Sequence, residues 1–354
     1  MSEHLHISPR EAAAFEDFLR RARCVGIVTH TRPDGDAIGS SLALMHFVLS
    51  LGPDGPGCVL LLDGEAPDAV RFLFSDADRD RTRIHALDPA GTEAAAASCD
   101  LLAVLDMNRF SRAGGLEETL RRSDARKILV DHHLDPDRGQ FDLAFSETAV
   151  SSTCELLFLI LSQCPSVREN GLPGRCPDAL LTGITTDTNN FANSVFGNTL
   201  ESVSALLEAG ADRDGILEHL YNEYPERRIR LMGHLLDREL IITGQGAALM
   251  VLDEATARSF GIREGETEGF VNLPLAIDRV KFSLFLRQDG DEYRVSIRSK
   301  RGWSANALAT RYFSGGGHEL ASGGRIPLTG TLRSKEDVTA LVLAHLEEYM
   351  SHEA

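Results

Sequence analysis

The stretch CVGIVTHTRPDGDAIGSSLALMHFVLSLG, residues 24–52, sets two demands that the rest of the chain must meet. CVGIVTH (24–30) is an apolar run of strand length, and AIGSSLALMHFVLSLG (37–52) has the length and composition of a helix closing on a glycine. Between them, His30, Asp34 and Asp36 fall within seven residues. Carboxylates two residues apart repel when ionised. The segment is therefore either a solvated turn, for which PDG is a common signal, or a place where bound positive charge offsets them.

The same alternation continues outward. CVLLLD (58–63), LLAVLD (101–106) and KILVDHH (127–133) read as strands, while EAPDAVRFLF (65–74) and LEETLRR (116–122) start helices. Short apolar runs alternating with helices predict βαβ units: a Rossmann-like parallel sheet with helices on both faces. Several strands end in Asp or His, so the polar residues collect at the carboxyl edge, where open α/β sheets bind ligands. Residues 150–225 read as helical (SSTCELLFLILSQC, CPDALLTGITTDT, TLESVSALLEAG). YNEYPERRIRLMGHLLDREL (221–240) carries a proline and a charge-rich helical pattern and is the candidate linker. From residue 247 the pattern turns to strands, with AALMVLD, then VKFSLFLRQDGDEYRVSIRSK carrying a DG turn, then the helix SANALATRYF and the loop SGGGHELASGG. The expected division is 1–225 as a catalytic domain, 226–240 as a helical linker and 241–354 as a smaller α/β substrate-binding domain.

Composition narrows the class. The 354 residues are 43% hydrophobic and 25% charged, as in ordinary globular proteins. No apolar run reaches the roughly 18 residues of a membrane span. MSEHLHISPREAAAF lacks the basic-then-apolar order of a signal peptide, so a cytoplasmic protein without membrane partners is expected. Six cysteines (Cys24, Cys58, Cys99, Cys154, Cys164 and Cys176) show no CxxC pair, which argues against a disulfide framework or a zinc cage; several read as small core residues. A net charge of −17 argues against a footprint on long nucleic acid. Residues 291–330 nevertheless carry six basic side chains (Arg294, Arg298, Lys300, Arg301, Arg311, Arg325) against three acidic ones, a local basic patch fit for a short polyanion.

Taken singly, each polar motif has an ordinary reading: PDGD as a turn, a strand-end Asp as a cap, DHH as surface. Jointly, His30, Asp34, Asp36, Asp106, His132 and Asp187 make a mixed N/O donor set that suits hard and transition-metal cations. Its four carboxylates match the charge of two divalent ions, as a two-metal centre about 3.5–4 Å across requires. Residues i and i+2 of an extended segment face the same side, so Asp34 and Asp36 can share one cluster.

The order HTRPDGDAIGSSLAL, LLAVLDMNRFSR, ILVDHH and TGITTDTNNF resembles the DHH phosphoesterase superfamily. VSIRSKRGWSANALATRYFSGGGHELASGG resembles its associated substrate-binding domain. The subgroup most similar is the nanoRNase (oligoribonuclease)/3′-phosphoadenosine-5′-phosphate (pAp) phosphatase type. The resemblance implies that His30 and Asp34 hold one metal, that Asp36, His132 and Asp187 hold the other, and that Asp106 bridges them. The metals would be two divalent ions, manganese most often, with Mg²⁺ or Co²⁺ as alternatives. It further implies that Asp131 supports the cluster by hydrogen-bonding a ligand, that His133 faces the scissile phosphate, and that Arg112 contacts phosphate, with Arg109 the neighbouring alternative. Three departures stand out: Arg32 where Asn is usual, Asn189 where Gly is common, and Ser314 in place of the first of four glycines.

Gly315, Gly316 and Gly317 before His318 suggest a backbone that approaches a ligand closely, with successive N–H groups forming an anion nest. Arg298, Ser299 and Lys300, ending YRVSIRSK, could reach the same anion. The expected chemistry is hydrolysis by a metal-bridging hydroxide. Short oligoribonucleotides would yield mononucleotides, or pAp would yield AMP, with His133 and Arg112 stabilising the transition state. Long double-stranded nucleic acid is not an expected partner, and homodimerisation stays open. The alternatives are a phosphodiesterase for cyclic dinucleotides such as cyclic di-AMP and a nucleotide-binding sensor without turnover.

Overall fold

Strands that are apolar at every residue are satisfied only in a sheet covered on both faces, and the first part of the chain builds one. The computed structural model describes residues 5–263, 265–330 and 332–352. The chain divides into two compact units, Met1–Glu223 and Tyr224–Ala354.

In the first unit, β1 (Cys24–Val28), β2 (Gly57–Leu62), β3 (Thr82–Ile84), β4 (Leu101–Leu105), β5 (Arg126–Asp131) and β6 (Leu143–Ser146) form a parallel sheet in the order β3-β2-β1-β4-β5-β6. This is a doubly wound order whose direction reverses between β1 and β4. The helices are α1 (Pro9–Arg20), α2 (Gly35–Ser50), α3 (Asp76–Asp80), α4 (Pro89–Ser98), α5 (Glu117–Arg122), α6 (Thr153–Leu161), α7 (Pro165–Asn170), α8 (Cys176–Asp187), α9 (Thr199–Glu208) and α10 (Arg213–Leu217). One face of the sheet packs on α1, α2, α6 and α8 through Phe15, Leu19, Leu42, Leu157 and Leu181. The other packs on α4 and α5 through Ala96 and Leu120. Every residue of β4 is buried.

The expected α/β class and the strands at 24–30, 58–63, 101–106 and 127–133 are present. The helix expected to start within 65–74 is instead a 3₁₀ segment, Asp68–Leu73. The short edge strands β3 and β6 have too few apolar residues to show a period.

Helix α2 is buried almost all round, so it lies inside the unit rather than on it. Glycines let its neighbours approach. A Cβ on Gly35 would stand 2.4 Å from Thr186 Oγ1 of α8, and one on Gly39 would stand 2.4 Å from the Ala179 carbonyl oxygen. A Cβ on Gly183 would meet Cys154 Sγ of α6 at 2.2 Å. These contacts draw α2, α6 and α8 together and so bring Asp36 and Asp187, on two of them, to one place.

The second unit holds a mixed six-stranded sheet of order β11-β12-β10-β9-β8-β7. Its elements, in chain order, are α11 (Glu226–His234), β7 (Ile241–Ile242), β8 (Ala247–Leu252), α12 (Glu254–Ser259), β9 (Phe282–Asp289), β10 (Glu292–Ser299), α13 (Ala305–Tyr312), β11 (Gly316–Gly317), β12 (Ala321–Pro327) and α14 (Lys335–His352). The β9–β10 hairpin turns through Gly290 at φ 59°. Tyr293, Val295 and Ile297 alternate toward α13 and α14. The segment 226–240, expected as a linker, is helical but is part of this unit. Leu231 and Leu235 pack on Met250, Leu252, Phe270 and Phe285. Arg228 is buried, donates to the Glu266 and Glu268 carbonyls and lies 4.0 Å over the Tyr224 ring. Among the described residues, no helix is long and apolar enough to cross a membrane.

Gly39→Ala tests the helix packing by its sign. Alanine stabilises an isolated helix by roughly 0.5–1 kcal/mol over glycine, whereas overlap with the Ala179 carbonyl should destabilise the protein by about 1–3 kcal/mol. Denaturant unfolding should show a lowered midpoint; a raised one contradicts the packing described.

Candidate metal centre

The carboxyl ends of β1 and β4 flank the point where the strand order reverses, the place where such sheets bind ligands. His30 lies two residues beyond β1, Asp106 directly follows β4, and His132 and His133 directly follow β5. Asp34 is the N-cap of α2, with Oδ1 accepting from the Asp36 and Ala37 N–H groups, and Asp187 is the last residue of α8.

These residues converge around Asp106. His30 Nε2 lies 3.3 Å from Asp106 Oδ2 and 3.9 Å from Asp34 Oδ1. His132 Nε2 lies 3.5 Å from Asp106 Oδ1, 3.9 Å from Asp36 Oδ2 and 3.3 Å from Asp187 Oδ2. The donor atoms of His30, Asp34 and Asp106 all lie within 4.8 Å of one another, as do those of Asp36, Asp106 and His132. Asp106 is thus common to two adjoining donor groups.

The electrostatics fit a cation-binding role. Asp36 is fully buried; burial, then repulsion from Asp106 and Asp34, pushes its carboxyl well above the usual range, opposed by hydrogen bonding from Cys154. Two like charges at about 4 Å repel by about 4 kcal/mol at an effective dielectric of 20, so such a cluster calls for positive charge. Burial alone would lower the His30 pKa, but the hydrogen bond to Asp106 and the charges of Asp34 and Asp106 raise it to about 9. Burial acts to raise the Asp106 carboxyl, yet the His30 hydrogen bond and the charges of His133, His30 and His132 hold it well below the usual range. His30 Nδ1 bonds the Thr31 carbonyl oxygen at 2.9 Å. That bond holds the Nδ1 proton, so Nε2, the nitrogen facing the carboxylates, is the one that would exchange its proton for a cation.

The backbone around these ligands is unusual. Asp106 has φ 57°, a left-handed conformation costing roughly 1–2 kcal/mol for a residue with a Cβ. Its N–H donates to the Val130 carbonyl and its Oδ1 accepts from Thr153 Oγ1 at 3.1 Å. After Asp187 the chain is left-handed at Asn189 (φ 49°), Asn190 (φ 54°) and Phe191 (φ 64°), so Asn189 adopts the conformation expected where Gly is common. Arg32, where Asn is usual, is also left-handed at φ 53°.

Asp131 is fully buried. It accepts from the His133 N–H at 3.1 Å and faces His133 Nδ1 at 2.8 Å. Its hydrogen bonds go to His133, not to one of the six residues expected to hold metal. Arg109 donates to the Asp135 carbonyl, whereas the charge of Arg112 opposes protonation of His30 and the Arg112 carbonyl accepts from the Thr31 N–H, which places Arg112 beside the His30 segment.

Sequence reading missed three supports. The Thr153 and Cys154 N–H groups, opening α6, donate to Asp36 at 2.7 and 2.8 Å, a helix N-terminus holding a carboxylate. Asp63, ending CVLLLD just as Asp106 ends LLAVLD, accepts from Thr31 Oγ1 and from Gly115 N–H, tying the strand end beside His30 to the loop that carries Arg112. The strand-end position marked Asp63; nothing local marked the α6 amides.

In the second unit, the glycine loop differs from the expected nest. Gly316 and Gly317 pair with Gly323 and Ser322. The Gly315 and His318 N–H groups donate to the Ala309 and Ala321 carbonyls. A Cβ on Gly315 would stand 1.9 Å from the Gly323 carbonyl oxygen, so this glycine serves strand packing. Asn306 and Thr310 of α13 hold the loop carbonyls, and Ser304 caps α13 as expected. Ser314 is left-handed at φ 48°. Lys300 donates to the Ile277 and Asp278 carbonyls, and buried Ser299 donates to the Trp303 carbonyl; both hold loops. Arg298 lies on the face opposite Ile297, opposite Ala321, and the His318–Ala321 hydrogen bonds continue that row, so Arg298 and His318 share one line across the sheet.

The cluster predicts a ligand effect on stability. Mn²⁺ at a hundredfold over its Kd should raise the thermal midpoint of chelator-stripped protein by roughly 5–10 °C, and Asp106→Asn should remove most of the shift. An equal shift in that variant contradicts a centre built on Asp106.

Comparison with known proteins agrees with this geometry. The DHH family N-terminal domain matches residues 24–184 and the DHHA1 domain matches residues 246–352. The crystal structure of an exopolyphosphatase-related protein from Bacteroides fragilis is 31% identical, with a TM-score of 0.87 over 99% of both chains. The probable bifunctional oligoribonuclease and PAP phosphatase NrnA of Streptococcus mutans is 26% identical over 92% of this chain and 96% of its own. NrnA of Thermus thermophilus is 29% identical over 84% of this chain and 82% of its own. The chain belongs to the DHH family of phosphoesterases, with a DHHA1 domain following the DHH domain.

Proposed function

We propose that the chain hydrolyses short oligoribonucleotides to mononucleotides, 3′-phosphoadenosine-5′-phosphate to AMP, or both. The observation that carries this reading is the convergence of two N/O donor groups on Asp106 at the strand-order reversal. Relatives bearing both activities in their names, aligned over most of both chains, support it. His30 and Asp34 would hold one divalent cation and Asp36, His132 and Asp187 a second, with Asp106 shared and Mn²⁺ the expected ion. When bound, such ions supply an activated water and neutralise charge on the phosphoryl oxygens.

The chain's own residues do the rest. The α6 amides fix Asp36 while α8 presents Asp187, so the donors are oriented before any ligand arrives. Asp131 holds the Nδ1 proton of His133, which directs the other ring nitrogen to a phosphoryl or leaving-group oxygen. Arg112 adds a positive charge beside His30, suited to the developing charge of the transition state. Arg298 and His318 would hold the far end of the substrate, with Ser299, Lys300 and Gly315–Gly317 shaping that surface. A net charge of −17 favours a short polyanion over long duplex nucleic acid.

A second reading has one observation behind it. The cyclic-di-AMP phosphodiesterase PdeA of Listeria monocytogenes is 27% identical over 202 residues, though these are 30% of that protein. With Mn²⁺, pAp should release phosphate and RNA dinucleotides should release mononucleotides. Asp106→Asn, which suits the left-handed backbone, should lower turnover at least about 10³-fold with an unchanged circular dichroism spectrum. Faster hydrolysis of cyclic di-AMP favours the second reading, and nucleotide binding without turnover would point to a sensor.

A further inference from the structure

The amino ends of the same two central strands carry a second constellation. β1 and β4 are neighbours, with Val25 opposite Leu101, so Cys24 and Cys99 meet where the chain enters them. Their sulfurs lie 3.4 Å apart. The Cys24 N–H donates to Asp100 Oδ1 at 3.0 Å, fixing that strand end, and Cys99 Sγ also lies 3.3 Å from the Ala95 carbonyl oxygen. Gly26 leaves the room: a Cβ there would stand 3.1 Å from Cys99 Sγ. Cys24 is partly exposed, while Cys99 is buried. The other four cysteines are buried, and Cys154, Cys164 and Cys176 each lie against backbone carbonyls.

We propose that Cys24 and Cys99 form a redox-active dithiol that a peroxide or a small disulfide converts to an intramolecular disulfide. With a peroxide, the Cys24 thiolate attacks one oxygen. The O–O bond breaks, Cys24 becomes a sulfenic acid, and the second oxygen takes a proton and leaves as water from hydrogen peroxide or as the alcohol from an organic peroxide. The Cys99 sulfur then attacks the Cys24 sulfur, the S–S bond forms, the S–O bond breaks, and a water leaves. With a small disulfide, the Cys24 thiolate attacks one sulfur, the small S–S bond breaks and one small thiolate leaves; Cys99 then attacks the Cys24 sulfur of the mixed disulfide and the second small thiol leaves. A reducing thiol reverses either route.

The division of labour follows from exposure. The contact between the two sulfurs lowers the Cys24 pKa to about 7, against burial and the charge of Asp100. The same contact, with burial, pushes Cys99 up. Cys24, the partly exposed member of the pair, is the attacking nucleophile, and the buried Cys99 is the resolving thiol. The Cys24–Cys99 link closes a loop that includes His30, Asp34, Asp36 and Asp63 from the end of the sheet remote from them.

The test exposes reduced full-length protein to hydrogen peroxide or oxidised glutathione, then counts free thiols and maps linked peptides by mass spectrometry. Two of the six thiols should be lost, a Cys24–Cys99 peptide should appear, and dithiothreitol should restore both. Cys99→Ser should stop at one glutathione bound to Cys24, and Cys24→Ser should lose the response. Both are near-isosteric changes remote from the metal centre, and circular dichroism checks their fold. In wild-type protein, iodoacetamide should label Cys24 first. Retention of all six thiols, a link between other cysteines, or an unchanged response in Cys24→Ser overturns the proposal.

Discussion

Uncompensated negative charge in a buried place is the constraint on which the rest of this molecule turns. Asp36 and Asp106 are both excluded from water, and Asp34 and Asp187 add their charges at the rim. Burying a carboxylate without a partner is unfavourable by several kcal/mol, so the fold must hold these groups against their own repulsion. It does so with fixed dipoles and rigid strand ends: two amides of α6 on Asp36, the Thr153 hydroxyl and two imidazoles on Asp106. What remains is a site oriented for cations.

The scaffold meets that constraint through close packing. Gly35, Gly39 and Gly183 remove the side chains that would separate α2, α6 and α8. The parallel sheet then delivers His30, Asp106 and His132 from three neighbouring strands at one edge. Left-handed residues at Asp106 and at Asn189–Phe191 mark where the backbone is bent to aim carboxylates; strain of this kind persists only where surrounding structure enforces it.

Much of this was legible in the chain, for a physical reason in each case. Buried parallel strands must be continuously apolar, so β1, β2, β4 and β5 announced themselves, and their terminal Asp and His residues announced the site edge. The edge strands β3 and β6, with three and four residues, carry no such pattern. Gly35, within the PDG turn signal, lies in the first turn of α2, and its role is to admit Thr186. The Gly315–Gly317 loop illustrates the same ambiguity: close approach of backbone to a ligand and close approach of backbone to a strand demand the same residue, and here the strand is its partner. Support through backbone amides, as from Thr153 and Cys154, leaves no trace in residue identity. The charge-rich segment at 226–240 matched a linker in composition, yet Leu231, Leu235 and the buried Arg228 seat it on the second unit.

Anomalous diffraction from crystals soaked in Mn²⁺, recorded at the manganese absorption edge, addresses the two-cation centre without reference to any substrate. Two peaks about 3.5–4 Å apart, both within coordination distance of Asp106, are the expected result. A single peak, or peaks that leave Asp106 unengaged, would contradict it.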